Sequence, residues 1–355
     1  MSLGRSDGEG IVMDMVKTLN QAFIGLKLDA VCLSAEQHRH FAFYDVQLGN
    51  KCRVNKLRNL SNEIALRLKA KSAPIVKSIP EKGIVRLQVV NGDPTLLPFE
   101  ELYEAAENRP SGILPFLLGE TDEGKLLWTD MALNPHQLAA GGTGSGKSTF
   151  LHTLIANAAK RQDVKLYLVD SKGVEFSEYS SDDMSDLVWG ITNTYASTIH
   201  LLEHLVEVME SRYKALVQFG FRSIEQAPNI FDKILVIIDE VSDLMLMDDR
   251  RKIFETLIIK LAQKSRAAGI YLVLATQRPS ADILTGLIKA NFQARLACRV
   301  SSRVDSQVIL DTPGAELLLG RGDAILRNYM HDNVRFQVAF ADPQETVSNY
   351  LSQNT

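Results

Sequence analysis

One eight-residue run constrains this chain more than anything else in it: Gly141-Gly142-Thr143-Gly144-Ser145-Gly146-Lys147-Ser148, which matches Gly-x-x-x-x-Gly-Lys-Ser. Glycines at these places let successive backbone N–H groups turn inward around an anion. The positive end of a following helix adds to the same field. Both flanks fit. The apolar stretch His136–Ala140 leads in, and a run of helix formers from Thr149 to Lys160 leads out. An accidental glycine-rich turn would lack that setting. Gly141 through Thr149 are therefore read as nucleotide-binding residues. Lys147 is expected to reach the β- and γ-phosphates, and the Ser148 hydroxyl to ligate Mg²⁺.

A phosphate loop implies NTP binding, not hydrolysis. The second element is Ile234-Leu235-Val236-Ile237-Ile238-Asp239-Glu240, an apolar strand that ends in two acids. Ligands of such sheets bind at the carboxyl ends of the strands. Asp239 is thus placed to hold Mg²⁺, directly or through water, and Glu240 to act as general base on the attacking water. A solvated acid pair is the bland alternative, and a phosphate loop in the same chain weighs against it. A third apolar run, Ile270–Ala275, ends in Thr276-Gln277-Arg278-Pro279. Gln277 is the candidate sensor of the γ-phosphate or the attacking water, although a Gln at a strand end is often only a turn residue.

At 355 residues the chain is long enough for two or three domains. Residues 1–30 read as a polar extension, disordered over Met1–Gly10, followed by a helix with periodicity over Ile11–Leu28. Residues 31–115 read as a small α+β module, with a strand over His40–Leu48, a helix over Arg53–Lys69 and an alternating strand over Gly83–Val90. Turn-rich text follows at Asn91–Pro94 and Arg109–Gly112. From 116 to 355 short apolar strands alternate with helices, the pattern of an α/β domain with a mostly parallel sheet. Its strands are expected at Gln137–Ala140, Lys165–Val169, Ile234–Ile238, Ile270–Ala275 and Ala294–Val300. A long helix over Ala196–Phe219 carries Ile199, Leu202, Val206, Met209, Tyr213 and Leu216 as a packing stripe.

The formal net charge is −4, so contact with a polyanion must be local rather than global. No apolar run approaches the roughly 20 residues needed to span a bilayer. Cys32, Cys52 and Cys298 have neither metal-ligand nor disulfide spacing, which fits reduced thiols and a cytoplasmic location.

Longer stretches resemble a known family. Ala262–Ile270, Ala275–Ser280, Thr285–Asn291 and Gly314–Asp323 are similar to the motor domain of the FtsK/SpoIIIE DNA translocases, as is Leu118 through His136 into the phosphate loop. Residues 40–110 resemble the accessory domain that precedes that motor. The resemblance covers nearly everything after about residue 30. It implies a RecA-like P-loop ATPase using ATP and Mg²⁺, assembled as a hexameric ring around double-stranded DNA, with ATP bound between subunits. It also implies an arginine supplied in trans. Arg295 stands where the family places it, with Arg299, Arg303 and Arg266 as further candidates.

The resemblance has limits. Family members carry N-terminal membrane-spanning helices and often a C-terminal winged-helix domain, and this sequence shows neither. It reads as a stand-alone relative or as the motor part of a longer protein. Gln307 replaces the family's basic residue after Asp305-Ser306. The leading functional expectation is ATP-driven duplex translocation, with channel contacts near Phe219–Arg222 and Asp282–Lys289. A protein-translocating ATPase of a secretion system shares the fold and stays open. A degenerate scaffold is disfavoured by intact Lys147, Ser148, Asp239 and Glu240.

Overall fold

The computed structural model describes residues 5–38, 41–70, 72–90, 96–246 and 250–354. The chain forms two compact units, Met1–Thr95 with Asp122–Gly124, and Leu96–Thr121 with Lys125–Thr355.

The smaller unit holds helix α1 (Arg5–Gly25), strands β1 (Ala30–Gln37) and β2 (Phe41–Leu48), helices α2 (Val54–Asn59) and α3 (Ser61–Leu68), and strands β3 (Ile75–Ile79) and β4 (Ile84–Val90). Its antiparallel sheet runs β1-β2-β4-β3. Alternation sets the core: Ala42, Tyr44 and Val46 on β2, and Val85, Leu87 and Val89 on β4, are buried together with Leu19 and Phe23 of α1. On the other face Asp45 and Arg86 stand directly opposite, joined by two hydrogen bonds of 2.6 and 2.9 Å. Those bonds hold the Asp45 carboxyl below its usual range.

Three expectations differ here. The helix expected over Arg53–Lys69 is two helices broken at Leu60, where the Ser61 hydroxyl takes the Arg58 carbonyl at 2.8 Å. The helix α1 already begins at Arg5, within the segment expected to be disordered, and Met1–Gly4 lie outside the described residues. The turn at Asn91–Pro94 lies outside them too.

The larger unit holds α4 (Phe99–Glu104), β5 (Pro115–Thr121), β6 (Leu126–Asp130), β7 (His136–Ala140), α5 (Lys147–Ala159), β8 (Val164–Val169), β9 (Val188–Thr192), α6 (Tyr195–Gln218), β10 (Lys233–Ile238), α7 (Val241–Met245), α8 (Arg251–Lys264), β11 (Ile270–Thr276), α9 (Gly286–Asn291), β12 (Ala294–Cys298), α10 (Arg303–Leu310), β13 (Asp323–Arg327), β14 (Val334–Val338) and α11 (Pro343–Asn354). One ten-stranded sheet runs β6-β5-β14-β13-β12-β7-β11-β10-β8-β9. From β12 to β9 every pairing is parallel, and from β6 to β12 every pairing is antiparallel.

Every residue of β7, β10, β11 and β12 is buried, because helices cover both faces. Alternation splits them between two cores. Ala139, Leu235, Ile237, Val273 and Leu296 face the side packed by Phe150, Leu154 and Ala158 of α5. Leu138, Ile234, Val236, Leu272 and Leu274 face Leu202, Leu205 and Met209 of α6 and Phe254 and Ile258 of α8. The boundary expected near 115 falls earlier, at Thr95/Leu96. The reason is that residues 97–99 pair with the end of the large domain. Phe99 N–H donates to the Phe340 carbonyl, Phe340 N–H donates to the Leu97 carbonyl, and Phe99 packs with Leu117 and Ala339. Among the described residues no helix is long and apolar enough to cross a membrane.

Candidate nucleotide site

The strand order puts the ends of β7, β11 and β10 side by side. The phosphate loop follows β7, Gln277 follows β11, and Asp239 and Glu240 follow β10. Three motifs spread over residues 141–277 thus share one sheet edge, the edge at which ligands of open parallel sheets bind.

Each side of the loop is pinned. Gly141 N–H donates to the Thr276 carbonyl at 3.1 Å, and Gly142 N–H to the Arg299 carbonyl at 3.0 Å. From above, Arg321 N–H donates to the Gly144 carbonyl at 3.1 Å and Gly322 N–H to the Ser145 carbonyl at 2.9 Å. Gly146, the N-cap of α5, has φ +104, and a Cβ there would lie 2.2 Å from the Gly322 nitrogen. Only glycine fits both the left-handed backbone and that approach. Behind the clamp a buried ion pair, Arg335 to Asp323 at 2.8 and 2.6 Å, braces the turn, and Asp323 also accepts from Leu319 N–H. The sequence showed Gly314–Asp323 only as family-like text, and its work as a clamp on the loop emerges from the fold.

Lys147 is almost fully buried and bonds Asp239 twice, through the backbone carbonyl at 2.8 Å and through the carboxylate. Burial raises the Asp239 pKa, and the nearby Lys147 ammonium opposes that rise. Glu240, 5 % exposed, accepts from the Thr276 hydroxyl at 2.7 Å, the Gln277 N–H at 2.9 Å, the Ser242 N–H at 3.3 Å and the Ser242 hydroxyl. It also caps α7. The Gln277 side chain accepts from the Thr143 hydroxyl at 3.4 Å, which links the strand end to the loop tip. A cavity of about 450 Å³ opens beside the loop, lined by Thr143, Gly144, Arg299, Glu316 and Leu319.

Arg295 lies elsewhere. It sits on β12 opposite Leu138, below the loop, and only 9 % exposed. Its guanidinium is committed within its own chain to the Asp311 carboxylate and to the Phe292 and Lys289 carbonyls at 3.3 and 3.1 Å. Lys289 and Arg327 converge on the same Asp311. Of the other candidates, Arg299 and Arg303 are exposed, and Arg266 pairs with Glu225 at 2.9 Å.

The sequence reading missed Glu175. The loop after β8 carries it to α5, where its carboxylate lies 3.2 Å from His152 Nε2. The His152 hydrogen bond is the main reason its pKa is lowered. A signal existed: His152 is one helical turn after Ser148, and Glu175 is five residues past an acid that ends an apolar strand.

The residues present fit a magnesium nucleotide. Among the described residues no group of three or more His, Cys, Asp or Glu could hold a metal alone. Mg²⁺ needs no such cage, since it takes one or two protein oxygens and fills its octahedron with phosphates and water. Ser148 and Asp239 supply such oxygens. Asp239 pairs with the Lys147 ammonium, while Glu175 and Glu240 add negative charge that acts on Asp239, and that balance suits a divalent cation.

Fold and site together define a P-loop nucleotide-binding protein, with the loop braced on one edge of a mostly parallel sheet. The sequence model of the FtsK/SpoIIIE family matches residues 100–234 and 226–281, and that of the FtsK alpha domain matches residues 7–91. The chain belongs to the FtsK/SpoIIIE family. The DNA translocase FtsK of Streptococcus pyogenes serotype M1 is 35 % identical over 371 residues, covering 99 % of this chain and 46 % of that protein. The DNA translocase FtsK of Streptococcus pneumoniae (strain ATCC BAA-255 / R6) is 36 % identical over 369 residues, covering 98 % and 47 %. The chain thus spans about half the length of these curated relatives. Among solved structures, the pCW3 conjugation coupling protein TcpA, in its monomer form with ATPgS, superposes with a TM-score of 0.68 at 23 % identity, over 96 % of this chain and 100 % of that one. The cytoplasmic domain of the Thermomonospora curvata type VII secretion ATPase EccC gives 0.60 at 23 % identity, over 72 % and 34 %. These two likenesses establish the fold.

Proposed function

We propose that this chain is the motor part of a double-stranded DNA translocase, hydrolysing ATP with Mg²⁺ between subunits of a ring, most simply a hexamer. The observation that carries the reading is the alignment of Lys147, Asp239, Glu240, Gln277 and Thr143 along one strand edge. The names of the curated relatives supply the polymer, DNA; that it is duplex is part of the proposal.

The residues divide the work as follows. Ser148 and Asp239 would hold Mg²⁺, which neutralises charge gathering on the phosphate oxygens during transfer. Lys147 exchanges its Asp239 partner for the β- and γ-phosphates. Glu240 accepts a proton from the attacking water, with its carboxylate already oriented by Thr276, Ser242 and the Gln277 N–H. Gln277 touches both Glu240 and Thr143, so it reports γ-phosphate state from the loop tip to the strand end. The cavity beside Arg299 and Glu316 takes the nucleoside. Arg295 serves the neighbouring subunit's phosphates only if it leaves Asp311, and exposed Arg299 and Arg303 carry no such constraint.

The test is the ATPase rate with and without linear duplex DNA, at low and at high salt. Sequence-independent phosphate contacts predict stimulation at low salt that fades as salt rises. Unchanged turnover at low salt would refute the DNA reading. Stimulation by an unfolded polypeptide instead would favour the protein-translocating alternative, whose fold this chain shares.

A further inference from the structure

The lining of the cavity beside the phosphate loop holds one acid, Glu316, and the fold sets it firmly in place. Glu316 follows Gly314-Ala315 in the turn after α10. Ala315 is fully buried, and its N–H donates to the Ser306 hydroxyl at 3.0 Å, which in turn donates to the Thr312 carbonyl at 2.8 Å. The Ala315 carbonyl accepts from Val300 N–H at 3.3 Å, which ties the turn to the segment that leaves β12. The carbonyl of Arg299, the residue before Val300, holds Gly142 of the phosphate loop. Turn and loop are thus braced on the same strand end. One Glu316 oxygen, Oε2, accepts from Gly314 N–H at 2.8 Å. The other, Oε1, has no hydrogen-bond partner among the described residues.

A carboxylate only accepts hydrogen bonds, so the free oxygen selects a ligand group that donates. An acid close to a polyphosphate also costs repulsion, which the Arg299 guanidinium in the same lining offsets. Gly142, Thr143, Gly144 and Ser145 line this cavity too, so what fills it adjoins the phosphates. In a nucleoside triphosphate that part is the ribose, whose 2′- and 3′-hydroxyls are donors, and the base lies one ring further out. Carboxylates hold ribose hydroxyls in the same way in dinucleotide sites. We infer that Glu316 reads the ribose of the bound nucleotide, accepting from its 2′- or 3′-hydroxyl. This rests on the nucleotide reading of the phosphate loop.

A hydrogen bond to a charged group contributes about 10- to 100-fold in affinity. The experiment measures binding, not turnover. Radiolabelled ATP bound to the whole chain with Mg²⁺ is competed with ATP, 2′,3′-dideoxyATP and GTP, for the wild type, Glu316→Ala and Glu316→Gln. The wild type should prefer ATP over dideoxyATP roughly tenfold or more. Glu316→Ala should bring that preference within about twofold while leaving the affinity for dideoxyATP itself within about twofold of wild type. Glu316→Gln keeps an oxygen for Gly314 N–H and presents its NH₂ where the acceptor stood. It should lose the preference as well, which keeps the test decisive if the alanine variant does not fold. A wild type without the dideoxy penalty, or a penalty that survives in a folded variant, would overturn the inference. A penalty left intact beside an altered choice between ATP and GTP would also overturn it, by placing Glu316 on the base. Wild-type protein that binds none of the three would overturn the nucleotide reading itself, an outcome distinct from any difference among the ligands.

Discussion

His136 opens the strand that presents the phosphate loop, and it makes that strand sensitive to acid. The residue is 2 % exposed, its Nδ1 accepts the Leu272 N–H at 3.2 Å, its Nε2 has no partner among the described residues, and its ring lies against Phe292. Burial, aided by the charge of Arg266, drives its pKa from 6.5 to about 3. The folded chain therefore refuses a proton that the unfolded chain accepts below pH 6.5, so stability falls as pH drops through that point and levels off only near 3. From pH 6.5 to 5 the loss is about 1.5 units at ~1.4 kcal/mol each, or about 2 kcal/mol. In His136→Asn the amide oxygen can replace Nδ1 as acceptor for Leu272 and nothing titrates. Both tryptophans, Trp128 and Trp189, belong to the larger unit, so urea unfolding followed by their fluorescence reports the unit that contains His136. At pH 8 the variant should be the less stable, for want of the ring. Its deficit should shrink by about 2 kcal/mol between pH 7 and 5. A wild-type-minus-variant difference that stays constant across that range would refute the reasoning.

Other substitutions probe the site. Gly146→Ala meets both a left-handed backbone and the Gly322 nitrogen, whereas Gly144→Ala meets only a left-handed backbone in open space. Melting curves should show the second costing about 1 kcal/mol and the first considerably more, with nucleotide binding lost; equal costs would mean the Gly320–Gly322 clamp is not closed in solution. Glu240→Gln should bind ATP with near-wild-type affinity and turn it over at least about 100-fold more slowly, and normal turnover in a rapid-quench assay would reassign the base. Arg295→Ala strands Asp311 with Lys289 and Arg327 alone, so a lower melting temperature is expected beside any loss of turnover. Mixing it with Lys147→Ala protein tests for a role in trans, and mixed oligomers that recover no activity would count against one.

How much of this the sequence disclosed depended on how local the cause was. Five of the six parallel strands were legible as apolar runs, and Asp239 with Glu240, and Gln277, mark where two of them stop; the sixth, β9 at the sheet edge, is mostly half-buried and was not. The small domain's β1 was not, because a bulge between Cys32 and Ser34 breaks its period of two. Its β3 lies at the sheet edge with no fully buried residue. The antiparallel extension β5, β6, β13 and β14 gave no motif, only packing that the fold reveals. The break lies at Leu60, whose backbone leaves the helical region (φ −101, ψ 14) inside an otherwise regular apolar periodicity that gives no sign of it. Arg295 was read by position within a family pattern, and what that position could not show is the Asp311 carboxylate that engages it. Glu175 was hidden for a similar reason: its neighbour His152 is more than 20 residues away in sequence, and a turn built by Asp170 brings the two together.

Whether hydrolysis at the phosphate loop moves duplex DNA is measured directly with a duplex carrying a short triplex-forming strand, incubated with the protein, Mg²⁺ and ATP, because a motor advancing along the duplex strips the third strand. Release should require ATP and duplex on which to load, and should disappear in Lys147→Ala and Glu240→Gln. Steady ATP hydrolysis with the third strand left in place would contradict the translocase proposal.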